Sequence, residues 1–429
     1  MPREKLASRL GFILLSAGCA IGIGNVWKFP WMVGQYGGAA FVLLYLFFLV
    51  IMGVPVLTIE FAMGRAAQKS PVKLYQELEP KGSKWHYHGI MCMLGNYLLM
   101  MFYTTVSGWM LNYFVSTAKG DFNNTNAEGI ANKFGEMLGN FPQMTIYMII
   151  IVVLGFLICS FKLQKGVERV SKVLMIALLL LMIILAVNSC FLEGGEEGLK
   201  FYLKPSLETM KEVGIANVIV AAMNQSFFTL SLGVGAMAIF GSYIGKEHAL
   251  MGEAVRVAGL DTFVAFCSGL IIFPACFAYG VEPSSGPPLI FITLPNIFNN
   301  MENGQFWGSL FFLFMTFAAL TTVIGAFENI IACNMDLFGW SRKKTCLINT
   351  FLMIALSMPC VMGYNVLSKF TPLGEGTTIL DLEDFILSNM LPIGTIIFIV
   401  FCTTRYGWGW KKFFAEANEG KGLKVAKWM

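Results

Sequence analysis

Apolar residues in this chain come in long blocks, without the short alternation of a half-buried strand. Ten blocks can be drawn, at roughly 9–31, 39–63, 88–116, 143–160, 167–188, 214–243, 252–279, 306–338, 345–361 and 382–404. About 20 largely apolar residues, as a helix, cross a hydrocarbon core of roughly 30 Å, and the blocks are of about that length. Short charged stretches separate them. The pattern predicts an all-α integral membrane protein, with one membrane domain over 1–429 and a polar tail from 405 to 429.

The first and sixth blocks are interrupted midway by glycines and small residues. The interruptions read Gly18-Cys19-Ala20-Ile21-Gly22-Ile23-Gly24-Asn25 and Thr229-Leu230-Ser231-Leu232-Gly233-Val234-Gly235. Alone, Gly18 and Gly22 would be a small-residue face for helix packing. A matching break five spans later changes that. Because five is odd, two such five-helix units insert with opposite orientation, which gives an inverted repeat whose broken helices meet near the bilayer centre. Repeat one is expected over about 9–188 and repeat two over about 214–404.

Composition narrows the class. Hydrophobic residues make up 56% of the 429 and charged residues 13%, with mean hydropathy +0.67, so there is too little polar surface for a soluble globule. The lipid bilayer is the surrounding partner, and no cleavable signal precedes the first block. Basic residues orient the spans: Arg3, Lys5 and Arg9, then Arg65 to Lys84, Lys162 to Lys172, Lys246 and Arg256, and Arg342 to Lys344 fall on one side. The positive-inside rule makes that side cytoplasmic, together with both termini, in a cell (inner) membrane. The opposite loops carry Glu193, Glu196 and Glu197, the Pro283 to Pro288 stretch and the sequon at Asn123-Asn124-Thr125. Topology thus accounts for the net charge of +4, and no nucleic-acid partner is implied. The ten cysteines lack a CxxC pair and the three histidines lack metal-ligand spacing. With no HExxH or GxSxG either, an enzyme is not indicated. Nothing in the sequence sets an oligomeric state.

At the two breaks the chain resembles the neurotransmitter:sodium symporter family, in its bacterial amino-acid transporter branch. The resemblance is carried by Arg9-Leu10-Gly11, by Gly22-Ile23-Gly24-Asn25-Val26-Trp27-Lys28-Phe29-Pro30, and by Gln225-Ser226-Phe227-Phe228-Thr229-Leu230-Ser231-Leu232-Gly233. It continues in order through Ile59 to Arg65, Lys165 to Arg169 and Phe291 to Pro295. It implies a LeuT-like 5+5 inverted-repeat helical bundle with discontinuous first and sixth helices. Members of that family normally have eleven or twelve spans, the additional ones outside the transport core. A proline usual in the fifth span is replaced by Ile176.

What the resemblance implies for function is sodium-coupled symport of an α-amino acid by alternating access. The substrate carboxylate would meet Ala20, Gly22, Gly24 and the Tyr103 hydroxyl, and the ammonium the carbonyls near Ala20, Phe228, Thr229 and Ser231. Half-helix ends suit both charges, since freed N–H groups favour an anion and freed carbonyls a cation. Val234, Thr322 and Ala326 complete the pocket. Small Val234 and Ala326 point to an aromatic substrate, tyrosine first; leucine or methionine carriage, or an amino-acid receptor of the same fold, are the alternatives. Gly22 stands where carriers of monoamines have an Asp, so the substrate brings its own carboxylate.

Two sodium sites are implied, one at Ala20, Asn25, Thr229 and Asp261, the other at Gly18, Ile21, Ala318, Thr321 and Thr322. Relatives with Asn at position 261 complete a chloride site there. This chain keeps Tyr45, Gln225 and Thr229 but has Asp261, whose carboxylate replaces the halide charge, so no chloride requirement is expected. Lys28 and Asp384 would form the outer gate, and Arg3 with Asp336, supported by Tyr243, the inner one. Glu60 is expected to accept N–H groups of the sixth-span break; Glu328 is an intramembrane acid with no partner evident.

Overall fold

A computed structural model describes residues 4–206, 208–280 and 289–427. The Pro283 to Pro288 stretch and Arg3 lie outside the described residues. The helices, in chain order, are α1 Arg9–Ala20, α2 Phe29–Tyr36, α3 Ala39–Phe48, α4 Val54–Ala67, α5 Pro71–Leu78, α6 His86–Lys119, α7 Ala127–Gly139, α8 Phe141–Ser160, α9 Arg169–Cys190, α10 Glu196–Leu203, α11 Glu208–Val213, α12 Ile215–Thr229, α13 Ala236–Gly241, α14 Leu250–Ala278, α15 Leu294–Asn300, α16 Gly304–Phe338, α17 Arg342–Met362, α18 Ile379–Thr403 and α19 Trp410–Ala417. Among the described residues there is no β-strand, only an isolated bridge between His248 and Lys421.

Each of the ten apolar blocks falls on helix. Among the described residues eight helices are long and apolar enough to cross a bilayer, and α1 with the stretch Gly24–Tyr36 makes a ninth, bent by 55°. The sixth block holds the shorter apolar helix α12 and then α13, separated by its break. The fold is the expected 5+5 inverted repeat. The two longest helices, α6 with 34 residues and α16 with 35, pack along each other as central pillars. The short helices α5, α7, α10, α15 and α19 cap the two ends. Below, the end carrying the Lys and Arg loops is the basic end.

Both breaks have local causes. In the first span, Ile21 leaves the helix at φ −70, ψ 104, and a π-helical turn, Gly24–Lys28, restarts it. In the sixth, three positions take left-handed φ: Ser231 at 52, Gly233 at 92 and Gly235 at 66. Glycine is required at Gly233 for a second reason, because a Cβ there would overlap the Leu391 carbonyl of α18. The fifth span differs from its expected pattern in a simple way. With Ile176 in place of proline, α9 runs unbroken from Arg169 to Cys190, and the irregularity moves to a π-helical turn at Gln164–Glu168, around Gly166.

Candidate functional site

The two breaks face each other across a small cavity of about 30 Å³. Ala20, Gly22, Gly24, Tyr103, Phe228, Thr229, Ser231, Val234 and Thr322 line it, as expected, joined by Leu99, Leu387 and Leu391, which sequence reasoning did not find. Ala326 is not among the lining residues. It is buried on α16 four residues beyond Thr322, about 6 Å further along the helix axis.

One end of the cavity is polar and the other apolar. At the polar end the N–H groups that open the second half of the first span are directed at side chains: Gly22 N donates to Asn25 Oδ1 at 3.2 Å, and Ile23 N to Tyr103 Oη at 3.0 Å. There is no room here for a longer residue. A Cβ on Gly22 would overlap Tyr103 Oη and come within 2.5 Å of Thr322 Oγ1, and one on Gly24 would stand 2.8 Å from the Phe228 ring. The apolar end is formed by Leu99, Val234, Leu387 and Leu391.

Beside the polar end lies the first expected ion site. Asn25 Nδ2 donates to Thr229 Oγ1 at 3.0 Å and to Asp261 Oδ1 at 2.8 Å, and Thr229 Oγ1 donates to Asp261 Oδ2 at 2.8 Å. Asp261 is fully buried, and these neutral donors are its carboxylate's partners; no basic side chain pairs with it among the described residues. A buried lone carboxylate is costly, so the site fits a cation. Around it, the buried Tyr45 hydroxyl lies beside the Thr229 and Thr262 hydroxyls, Gln225 Oε1 is buried without a hydrogen-bond partner among the described residues, and Gln225 Nε2 makes a long contact of 3.5 Å to Gly24 O.

The residues expected at the second ion site also lie together. Thr322 Oγ1 lies 3.4 Å from Gly18 O, 3.2 Å from Ile21 O and 3.4 Å from Ala318 O, and Thr321 Oγ1 lies 2.9 Å from Ala318 O. Both hydroxyls back-bond to their own helix, as threonines in helices commonly do. The contacts of Thr322 to Gly18 and Ile21, across to the unwound first span, are the ones helix geometry alone does not require. Five oxygens of neutral groups therefore converge at this point, the chemistry a hard monovalent cation selects.

The cavity is closed at both ends. Away from the basic end, Tyr103 and Phe228 separate it from a vestibule of about 190 Å³ lined by Trp27, Lys28, Trp31 and Asp384. Lys28 Nζ pairs with Asp384 at 3.4 Å and stands 3.9 Å from the Phe228 ring centroid, so the ion pair rests directly on the aromatic partition. At the basic end Asp336 accepts Ser70 N at 2.8 Å, and the Arg3 half of that expected pair lies outside the described residues. The Tyr243 hydroxyl donates to Glu328 at 2.7 Å. Glu328 also has the partner the sequence did not reveal, a two-pronged pair with Arg342, both contacts at 2.7 Å. Arg9 pairs with buried Glu253 at 2.6 Å. Glu60 behaves as expected, accepting Gly233 N at 2.8 Å and Met237 N at 3.2 Å from the sixth-span break.

Comparisons with known proteins agree along the whole length. The profile described as the sodium:neurotransmitter symporter family matches residues 3–133 and 127–429. A sodium-dependent transporter of Bacillus subtilis is 34% identical over 396 residues, covering 92% of this chain and 86% of the relative. The sodium-dependent serotonin transporter of Drosophila melanogaster is 27% identical over 376 residues, covering 78% and 60%. Among solved structures, that of MhsT in complex with L-phenylalanine superposes with a TM-score of 0.89 at 38% identity, over 99% of this chain and 94% of that one.

Proposed function

This chain belongs to the sodium:neurotransmitter symporter family, and on that premise we propose that it carries an α-amino acid, with an aromatic one, tyrosine, first, into the cell by alternating access. Sodium-dependent symport in a multi-span membrane protein is what the family does. The amino-acid assignment rests on one observation above the rest: the packing of Tyr103 and Thr322 against Gly22 leaves no space for an acidic side chain at the break. A cationic substrate without a carboxylate would then have no negative partner at that point. An amino acid brings its own, set against the N–H groups at Gly22 and Gly24 and the Tyr103 hydroxyl, with its ammonium toward the carbonyls of Ala20, Phe228, Thr229 and Ser231. The solved relative holding L-phenylalanine supports a side-chain pocket of aromatic size.

In this reading two sodium ions are co-transported cargo. One is held by Ala20, Asn25, Thr229 and Asp261 beside the substrate carboxylate, and the other by Gly18, Ile21, Ala318, Thr321 and Thr322. The basic end is cytoplasmic. Opening toward the outside parts Lys28 from Asp384 and Tyr103 from Phe228; opening inward breaks the contacts of Asp336, Tyr243 and the first-span start.

Uptake of labelled tyrosine into proteoliposomes under an imposed sodium gradient tests the function, and it also separates a carrier from a receptor of the same fold, which would bind without uptake. Tyrosine is expected to compete for sodium-dependent binding and tyramine, which lacks the carboxylate, to fail. Equal competition by the two would overturn the carboxylate assignment. A Thr321→Ala/Thr322→Ala double variant removes two oxygen ligands at about 1 kcal/mol each, so the sodium concentration for half-maximal uptake is expected to rise roughly 30-fold. An unchanged sodium requirement would remove those residues from the ion site.

A further inference from the structure

The apolar end of the cavity backs onto a buried acceptor that the function above leaves unused. Asn96 lies on α6 three residues before Leu99 and seven before Tyr103, which both line the cavity, so the three share a helix face. Its side chain is buried. Nδ2 donates to Cys92 O and to Val234 O, each at 2.8 Å. Both partners are carbonyls and require an N–H, which fixes the amide's orientation. Oδ1 is left without a hydrogen-bond partner among the described residues, and an unpaired buried acceptor is a cost the fold carries.

Val234 stands between Asn96 and the cavity. Its side chain rests in the notch left by Gly95, where a Cβ would stand 2.8 Å from Val234 Cγ1 and 3.5 Å from Met390 Cε. Val234 is also on non-helical backbone, flanked by Gly233 at φ 92 and Gly235 at φ 66. A cavity of about 30 Å³ has room for little more than a water, whereas a cavity of about 150 Å³ takes a benzene ring. A ring entering from the carboxylate end therefore has to turn the Val234 side chain aside. Behind that side chain lies Gly95, and Asn96, the next residue of α6, holds the Val234 carbonyl. The neighbouring side chains of Leu99, Met390 and Leu391 offer no oxygen acceptor there.

We infer that Asn96 is a specificity-determining residue, whose free Oδ1 accepts a hydrogen bond from a donor at the far end of an aromatic substrate side chain, a phenol O–H or an indole N–H. The inference rests on the amino-acid reading above and narrows it. A ring without a donor leaves Oδ1 unpaired, and a site with a buried polar group discriminates strongly against an analogue that cannot satisfy it.

The test is sodium-dependent binding of L-tyrosine, L-phenylalanine, O-methyl-L-tyrosine and L-leucine to the purified full chain and to Asn96→Leu. The unaltered protein is expected to bind tyrosine at least about tenfold more tightly than phenylalanine or O-methyltyrosine. In Asn96→Leu that advantage is expected to fall to within about twofold. Phenylalanine or O-methyltyrosine binding the unaltered protein as tightly as tyrosine overturns the inference, whether or not the variant folds, and so does a full tyrosine preference in the variant. In those cases sodium-dependent binding of phenylalanine or leucine leaves the amino-acid function standing. Absence of sodium-dependent binding for all four would overturn both.

Discussion

Transport by the unaltered protein is expected to run equally well in chloride and in gluconate, and the Asp261→Asn variant to stall unless chloride is supplied. The expectation follows from charge. Asp261 is buried with two neutral donors as its partners, so its carboxylate is the fixed negative charge closest to a sodium ion at Asn25 and Thr229. Opposite unit charges about 5 Å apart at an effective dielectric near 20 attract by roughly 3 kcal/mol, about a hundredfold in sodium affinity. Asparagine keeps the size and removes the charge. A halide can restore it because the surroundings already offer donors: the buried Tyr45 hydroxyl lies beside the Thr229 and Thr262 hydroxyls, and Gln225 is only weakly engaged through Nε2. Uptake measured with each anion on both proteins decides the matter. An Asp261→Asn protein working at full rate in gluconate, or an unaltered protein that needs chloride, would show that this carboxylate is not the compensating charge.

The largest stability effect is expected at Arg342. Glu328 is fully buried and takes both of its strong contacts from the Arg342 guanidinium, with Tyr243 adding a third. Arg342→Met would leave that carboxylate with one neutral donor. Breaking a buried pair from one side costs on the order of 3–5 kcal/mol, because the remaining charge stays desolvated. Adding Glu328→Gln removes the stranded charge and is expected to recover most of the loss. Melting temperatures of the purified protein in detergent should therefore rank the single Arg342→Met variant well below the Arg342→Met/Glu328→Gln pair. A single variant that melts with the unaltered protein, or a double variant no better than the single, would contradict the account.

The spans and their breaks were legible in the sequence because both are local. Apolar run length sets the first, and glycine clustering at Gly22 to Gly24 and Gly233 to Gly235 sets the second. Residues that the breaks themselves carry were found for the same reason. What escaped was whatever depends on distant elements meeting. Leu387 and Leu391 reach the cavity only because Gly233 and Gly394 let α18 approach the sixth-span break backbone to backbone. The partner of Glu328 is the first residue of the next helix, 14 positions on, in a loop group that charge counting assigns to topology alone. Ala326 was placed by analogy of position, yet the pocket wall there is built by other residues. The π-helical turns at Gly24–Lys28 and Gln164–Glu168 have no composition that distinguishes them from ordinary helix.

Asn25 occupies both neighbourhoods at once. Its Oδ1 receives the Gly22 N–H, in the wall where a carboxylate would lie, and its Nδ2 serves Thr229 and Asp261, where a cation would lie. A cation there competes for the oxygens that Nδ2 now serves, and an anion at Gly22 competes for the N–H that Oδ1 now holds. Whichever arrives first spends the free energy of turning this amide, and the second arrives at an amide already turned. Thermodynamic reciprocity then fixes the outcome: the factor by which sodium tightens the amino acid must equal the factor by which the amino acid tightens sodium. Two titrations, each ligand varied against the other, should return one coupling constant, and replacing this single side chain should lower it in both.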